Sequence, residues 1–407
     1  MSVFADPAWR THRLWLGATL ALIALYFVLI VLLAPGAPFM DDIHISASVE
    51  RARAAANPWP ELWAQHNEHR PVTTKLIFWA QRAITGAPNY TLLAFIGNLS
   101  LLPIFAILAA RAWKGTGPLA GAAILFIATM TFSYTSADSM LWAMTAMSNY
   151  SVIMFALLAF WMLAKGGAGW TMGALGAALL SGLSQGNGFL VLLLGCIFLL
   201  FNRRWLHAGL WAAVFAGFMA LYFASYTPVF NTTNPVESLG RPAEVVLFAA
   251  VFSGSALGYP TGIDAVRIPM IIVCAILGIA LWAFILRRFV AAKFRSTDPL
   301  LWFATFLVAS GFLAALSRLD TGAIQAMTPR YHVNSCLIIA SCVLMLLTGK
   351  EPSRLGGMTR RYLPLLAFAG LAYVAISTLT LWRMHSLYIE RTRSAPEAVS
   401  SPALHPA

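Results

Sequence analysis

Charge is scarce in this 407-residue chain: Asp, Glu, Lys and Arg together make up 10% of it. A soluble protein of this length needs far more polar surface to cover its core, so that class is excluded. Cysteine is scarce as well. The four (Cys196, Cys274, Cys336, Cys342) all fall inside apolar runs. They spell out neither a disulfide framework nor a zinc knuckle and read as small buried side chains. Lysine supplies only 5 of the 27 basic residues, a usage associated with GC-rich bacteria. No glycine-rich phosphate loop follows a strand, which argues against a cytosolic nucleotide-dependent enzyme. The net charge of +12 does not indicate a nucleic-acid partner, because the basic residues come as pairs and short clusters at the ends of apolar runs.

What is abundant is apolar sequence, 59% of the chain. Runs of membrane-spanning character recur near 14–34, 91–110, 119–135, 149–164, 168–184, 188–201, 205–226, 268–286, 299–317, 333–348 and 362–382. They predict an all-α, single transmembrane domain. The first run follows Arg10, His12 and Arg13 and reads as a retained signal anchor. A cytoplasmic N-terminus places Arg111, Lys114, Lys165, Arg203, Arg204 and the basic loops 287–298 and 350–361 on the cytoplasmic side. Both loops fit only if the shorter run 243–258, within an outer segment 227–267, dips in and returns. The expectation is 11 spans, N-terminus inside, with a short outer tail at 383–407. The cytoplasmic side then carries 15 basic residues against 3 acids (Asp6, Asp298, Glu351), and the outer side 12 against 12. Twelve of fifteen carboxylates facing outward point to a polar cavity opening there.

The polar residues concentrate in the first outer loop, 35–90. "APGAPFMDDIHIS" ends the first span at Pro35, Gly36 and Pro38 and delivers Asp41 and Asp42 within about two turns of the membrane. "HISASVERARAAAN" reads as a short helix and "PVTTKLIFWAQRAITG" as a second. In the second, Leu76, Ile77, Trp79, Ala80, Ala83 and Ile84 share one side and Lys75 and Arg82 another, the pattern of a helix lying in the interface plane. The cluster "HNEHRP" starts that helix.

One span, an acidic pair, a long outer loop with two interfacial helices and then many spans: this resembles the GT-C class of integral membrane glycosyltransferases. The "HNEHRP" stretch resembles one in bacterial relatives of that class. The resemblance implies a multi-pass protein of the bacterial inner membrane with its active site facing the periplasm. It also implies a polyprenyl-phosphate-linked sugar as donor, and a glycan, lipid or protein hydroxyl as acceptor. Asp41 or Asp42 is then the catalytic base. The pair is Asp-Asp here, where many members have Asp-Glu or Asp-x-Asp. No cofactor is required, with a divalent cation as an option.

Each candidate also has a bland reading. Asp41 and Asp42 could cap the following helix, but one suffices for that. His66, Glu68, His69 and Arg70 could be a solvated turn, or with Asp41, Asp42 or His44 a metal site, although the spacing is not HExxH. Binding of an anionic head by His44, His66, His69, Arg70 and Lys75 suits the residue types better, with Glu68 as a reserve base. In "SRLDTGAIQAMTPRYHVNS", Arg318, Asp320, Arg330, Tyr331 and His332 read as an interface belt or as contacts to carrier phosphate. In "LSQGNGFL", Gln185 and Asn187 read as a plain turn or as sugar-hydroxyl contacts, and Asn149 and Arg241 are weaker candidates of the same kind. Four Asn-x-Ser/Thr tripeptides start at Asn89, Asn98, Asn149 and Asn231, and Asn98 lies within a span. Three other functions compete, one of them an intramembrane metalloenzyme, which would require the metal site. A polymerase or ligase would take a diphosphate-linked glycan. A lipid-linked-sugar flippase would place polar groups at mid-membrane, usually in repeats, and no repeat is found.

Overall fold

The computed structural model describes residues 7–227, 229, 233–259, 263–349 and 354–399. Asp6, Glu351, Asn231 and Thr232 of the fourth tripeptide, and residues 400–407 of the expected tail lie outside the described residues. No strand forms among the described residues, and each apolar run read from the sequence falls in helix. In hydrocarbon every backbone N–H and C=O needs a partner in its own segment, and a helix supplies it.

Eight helices are long and apolar enough to cross a membrane, by length and composition: His12–Leu33, Tyr90–Leu141, Ala143–Lys165, Trp205–Phe223, Ala265–Ala291, Pro299–Thr321, Pro329–Thr348 and Arg354–Arg391. This is the character of a multi-pass membrane protein. The second of them is not one rod, since a 3-10 turn at Gly117–Leu119 separates Leu101–Thr116 from Ala120–Thr131. Gly186–Phe201 and Pro242–Leu257 are shorter.

The polar ends of the helices sort into two groups. At one end Arg111 pairs with Asp298 at 2.9 Å and donates to Thr348, and Arg204 donates to the Leu163 carbonyl. At the other end lie Asp41, Glu68, Gln185, Arg318 and Arg330. The helix Pro242–Gly254 starts at this second end, where Arg241 pairs with Asp320 at 2.6 Å, and its other end lies inside the bundle, where Gly254 packs on Cys274 and the Ala256 N–H donates to Ser335. Its 13 residues, about 20 Å, fall short of a hydrocarbon core of about 30 Å. The last helix, Arg354–Val399, continues far past residue 382, so the described part of the expected tail extends that helix.

Between Phe132 and Tyr150 the chain is irregular, with two short helices at Ala137–Leu141 and Ala143–Thr145 and a π turn at Ala146–Tyr150. This stretch is buried under neighbouring helices, the condition under which broken backbone is tolerated at depth. In the first loop, helices cover Asp41–Ala54 and Val72–Thr85. The second buries Val72, Thr74, Lys75, Phe78 and Gln81, and turns Leu76 (45% exposed) and Ile84 (83%) outward. Its protein-facing side is mixed, Lys75 and Gln81 beside Val72 and Phe78, and the side turned away is apolar.

Candidate functional site

The "HNEH" cluster folds as a tight hairpin. His66 N–H donates to the His69 carbonyl at 2.8 Å, and His69 N–H donates back at 2.9 Å. Asn67 at the tip takes φ 49°, a left-handed position that asparagine tolerates. His66 Nε2 lies 3.5 Å from the Asp41 carboxylate, with the His44 ring 6.0 Å away. His69 turns the other way, and its Nδ1 accepts the Gly186 N–H at 3.2 Å. A Cβ on residue 186 would stand 2.7 Å from that nitrogen, so glycine is required there. Burial pushes the His69 pKa down, and with Nδ1 accepting, the neutral ring carries its proton on Nε2. Among the described residues no three His, Cys, Asp or Glu side chains converge as a metal ion would need.

On the His69 side lies a cavity of about 560 Å³. Eight residues singled out in the sequence line it: Glu68, His69, Asn149, Gln185, Asn187, Arg318, Arg330 and Tyr331. Arg318 Nη2 stands 2.7 Å from Glu68, an ion contact by distance without the alignment of a hydrogen bond. Arg330 has no carboxylate within ion-pair distance among the described residues. Its buried Nε has no acceptor, and its guanidinium lies 5.3 Å from the centre of the Tyr331 ring. Asp138, Asp41 and Glu68 all lie within its electrostatic reach. Asn187 donates to Ser310 at 3.0 Å, which leaves its buried Oδ1 without a donor. Tyr222, Phe223, Tyr226 and Phe252 supply an aromatic wall, and Asn149, from the π turn, completes the ring of amides. The cavity therefore combines aromatic surface, convergent amides and a cation with no anion beside it.

The two aspartates separate. Asp42 is 1% exposed, with Oδ1 accepting the Met144 N–H at 2.8 Å and Oδ2 the Phe39 N–H at 3.1 Å. Met144 opens the broken helix that leads into the π turn, so Asp42 caps that helix from a distant segment. Desolvation pushes its pKa up to about 7 against these two donors. The sequence allowed either acid as base; in the structure both oxygens of Asp42 are already taken by backbone N–H groups. Asp41 stays partly exposed. Burial pushes its carboxyl up, but the His66 hydrogen bond and the charges of His66, His44 and Arg330 outweigh that and hold it below the usual range.

Several expectations need correction. Arg70 is not a free phosphate fork: it is 2% exposed and donates to the carbonyls of Tyr222 and Trp63 and to the Ser225 hydroxyl. It fastens the hairpin to the helix Trp205–Phe223. Lys75 does not face the large cavity either, and its ammonium donates to the Glu61 and Ala64 carbonyls. His332 is 1% exposed and bonds the Thr135 carbonyl at 3.1 Å, because it lies on the inward side of its helix while Tyr331 turns to the cavity. Asp320 is at the surface with Arg241 and Glu244. Glu68 is tied to Arg318, which weakens it as a reserve base.

Sequence reading missed Asp138, whose carboxylate accepts the Tyr388 hydroxyl at 2.8 Å, and Tyr222, Tyr226 and Asn334 in the cavity wall. Asp138 was detectable as the one acid in a Ser/Thr/Asn-rich interruption between two apolar runs. Compared with protein-family models, curated proteins and solved structures, the chain matches none of them.

Proposed function

We propose that this protein is a membrane glycosyltransferase that moves a sugar from a polyprenyl-phosphate carrier to a hydroxyl of a surface glycan, lipid or protein. In this reading it has 11 spans in a bacterial inner membrane, with the cavity facing the periplasm. The observation that carries it is Arg330, a cation with no carboxylate within ion-pair distance among the described residues, in the wall of an amide- and aromatic-lined cavity and within electrostatic reach of Asp41.

The charged residues lining the cavity, Glu68 against Arg318 and Arg330 with His69 neutral, sum to one positive charge. A phosphodiester-linked sugar carries one negative charge and a diphosphate-linked glycan two, so the monophosphate carrier is the better match. Arg330 binds the phosphate and neutralises the charge that grows as it departs. Gln185, Asn187 and Asn149 take sugar hydroxyls, and Tyr222 and Tyr226 offer flat faces to the ring. Asp41, ionised and oriented by His66, accepts the proton of the attacking hydroxyl. A bond forms from that oxygen to the anomeric carbon, and the carbon–oxygen bond to phosphate breaks. The phosphate leaves with the electron pair, with inversion at the anomeric centre.

The test is binding and turnover of a polyprenyl-phosphate sugar by detergent-purified protein. The reading expects Arg330→Ala to lose binding, and Asp41→Asn to bind but fail to turn over. No binding by the wild type, or a diphosphate-linked glycan bound in preference, would count against it.

A further inference from the structure

On the His66 side of the hairpin lies a second cavity of about 190 Å³, whose polar lining comes from His44, Ser48, Arg51, Gln65, His66 and Lys75. No acid is among its lining residues, and two of its basic residues already face one from outside: Arg51 pairs with Glu61 at 3.0 Å, and His66 with Asp41 at 3.5 Å. Lys75 is 1% exposed and has no carboxylate within ion-pair distance among the described residues. Two of its three N–H donors go to the Glu61 and Ala64 carbonyls, at 2.8 and 2.7 Å, which leaves the third. Arg70, close enough to act electrostatically on Lys75, is likewise buried without a carboxylate. The Glu61 charge acts on Lys75 from beyond ion-pair distance, and an anion entering this cavity would offset the burial cost of these cations directly. Burial holds the Lys75 pKa near 8, so the ammonium is largely charged at neutral pH.

Asp41 lines neither space but is linked to both. It contacts His66 of the small cavity and lies within electrostatic reach of Arg330 of the large one. We infer that the small cavity binds an anionic group, phosphate or carboxylate, of the acceptor, which brings the acceptor hydroxyl to Asp41 from the side opposite the donor. This rests on the glycosyl-transfer reading for the word acceptor, but the anion site stands on its own geometry. The cavity has room for one such group and its attached atoms, and not for a whole glycan.

The test titrates inorganic phosphate into full-length detergent-purified protein and reads thermal melting and tryptophan fluorescence, since Trp63 packs on Arg70. Phosphate should stabilise the wild type and Arg330→Ala saturably. Lys75→Met should weaken it about tenfold, as expected for one charge-assisted contact. If Lys75→Met does not fold, His44→Gln is the substitute, because His44 is exposed and makes no hydrogen bond among the described residues; it should weaken phosphate severalfold. No saturable response in the wild type, or one lost in Arg330→Ala and kept in Lys75→Met, overturns the site. Loss of the response in nanodiscs containing phosphatidylglycerol, but not in phosphatidylcholine alone, assigns the cavity to a lipid headgroup and overturns its acceptor role. Phosphate binding that persists in a protein unable to bind any polyprenyl-phosphate sugar upholds the anion site and sinks the glycosyl-transfer reading instead.

Discussion

Replacing Asp42 and Asp41 separately should give opposite phenotypes. The Asp42 carboxylate accepts two backbone N–H bonds, at 2.8 and 3.1 Å, with 1% of its surface exposed. Asn keeps one acceptor and presents an NH₂ to the other donor, a loss of about 1–3 kcal/mol, and Ala strands both donors for about 3–5 kcal/mol. Asp42 also titrates. It holds its proton to about pH 7 when folded and releases it near 4 in the unfolded chain. Its stabilisation is therefore complete below about pH 4 and is lost as pH rises through about 7, a difference on the order of 4 kcal/mol. For a chain this long that corresponds to a melting shift on the order of 5 °C. Melting of detergent-purified protein from pH 5 to 8, followed by tryptophan fluorescence, should show the wild type losing stability as pH rises, and Asp42→Asn with a flatter slope and a lower midpoint at acid pH. Asp41→Asn should melt close to the wild type and lose about 10²–10⁴-fold in turnover. Equal melting for all three proteins, with turnover lost only in Asp42→Asn, would show that Asp42 is the base and refute the cap.

Further outcomes follow from the same geometry. Arg330→Ala should weaken carrier binding about 10–100-fold with little change in melting, and Arg330→Lys should fall between, read by equilibrium binding. Arg70→Ala should do the reverse, lowering the melting temperature through three lost donor contacts while the folded fraction binds carrier normally. Because Asp41 is held below the usual carboxylate range, the acid limb of the kcat/KM profile should lie below that range as well. A cysteine at Ala55 should react with an impermeant thiol reagent in spheroplasts and one at Lys293 should not. Both positions are exposed, and the native cysteines are buried or half-buried. Equal labelling at the two sites would reject the proposed topology.

The sequence by itself determined the helical class and the location of nearly every apolar helix, because in hydrocarbon the backbone must close its hydrogen bonds locally and apolar run length records that. It also determined that polar chemistry gathers at the first loop, at Gly186 and Asn187 and at Arg330, since turns, glycines and isolated charges are local signals. Tertiary structure decided which of these residues face one another. Glu68 meets Arg318, Asp42 reaches Met144 and Tyr388 reaches Asp138, across separations of hundreds of residues or nearly so. Nothing in the spacing within "HNEHRP" distinguishes an arginine that binds phosphate from one that fastens a hairpin. That choice depends on whether distant carbonyls, here those of Tyr222 and Trp63, have already taken its donors. The same reason separates Tyr331 from His332. Adjacent positions on a helix point about 100° apart, and only the packing of neighbouring helices sets which direction is cavity and which is core.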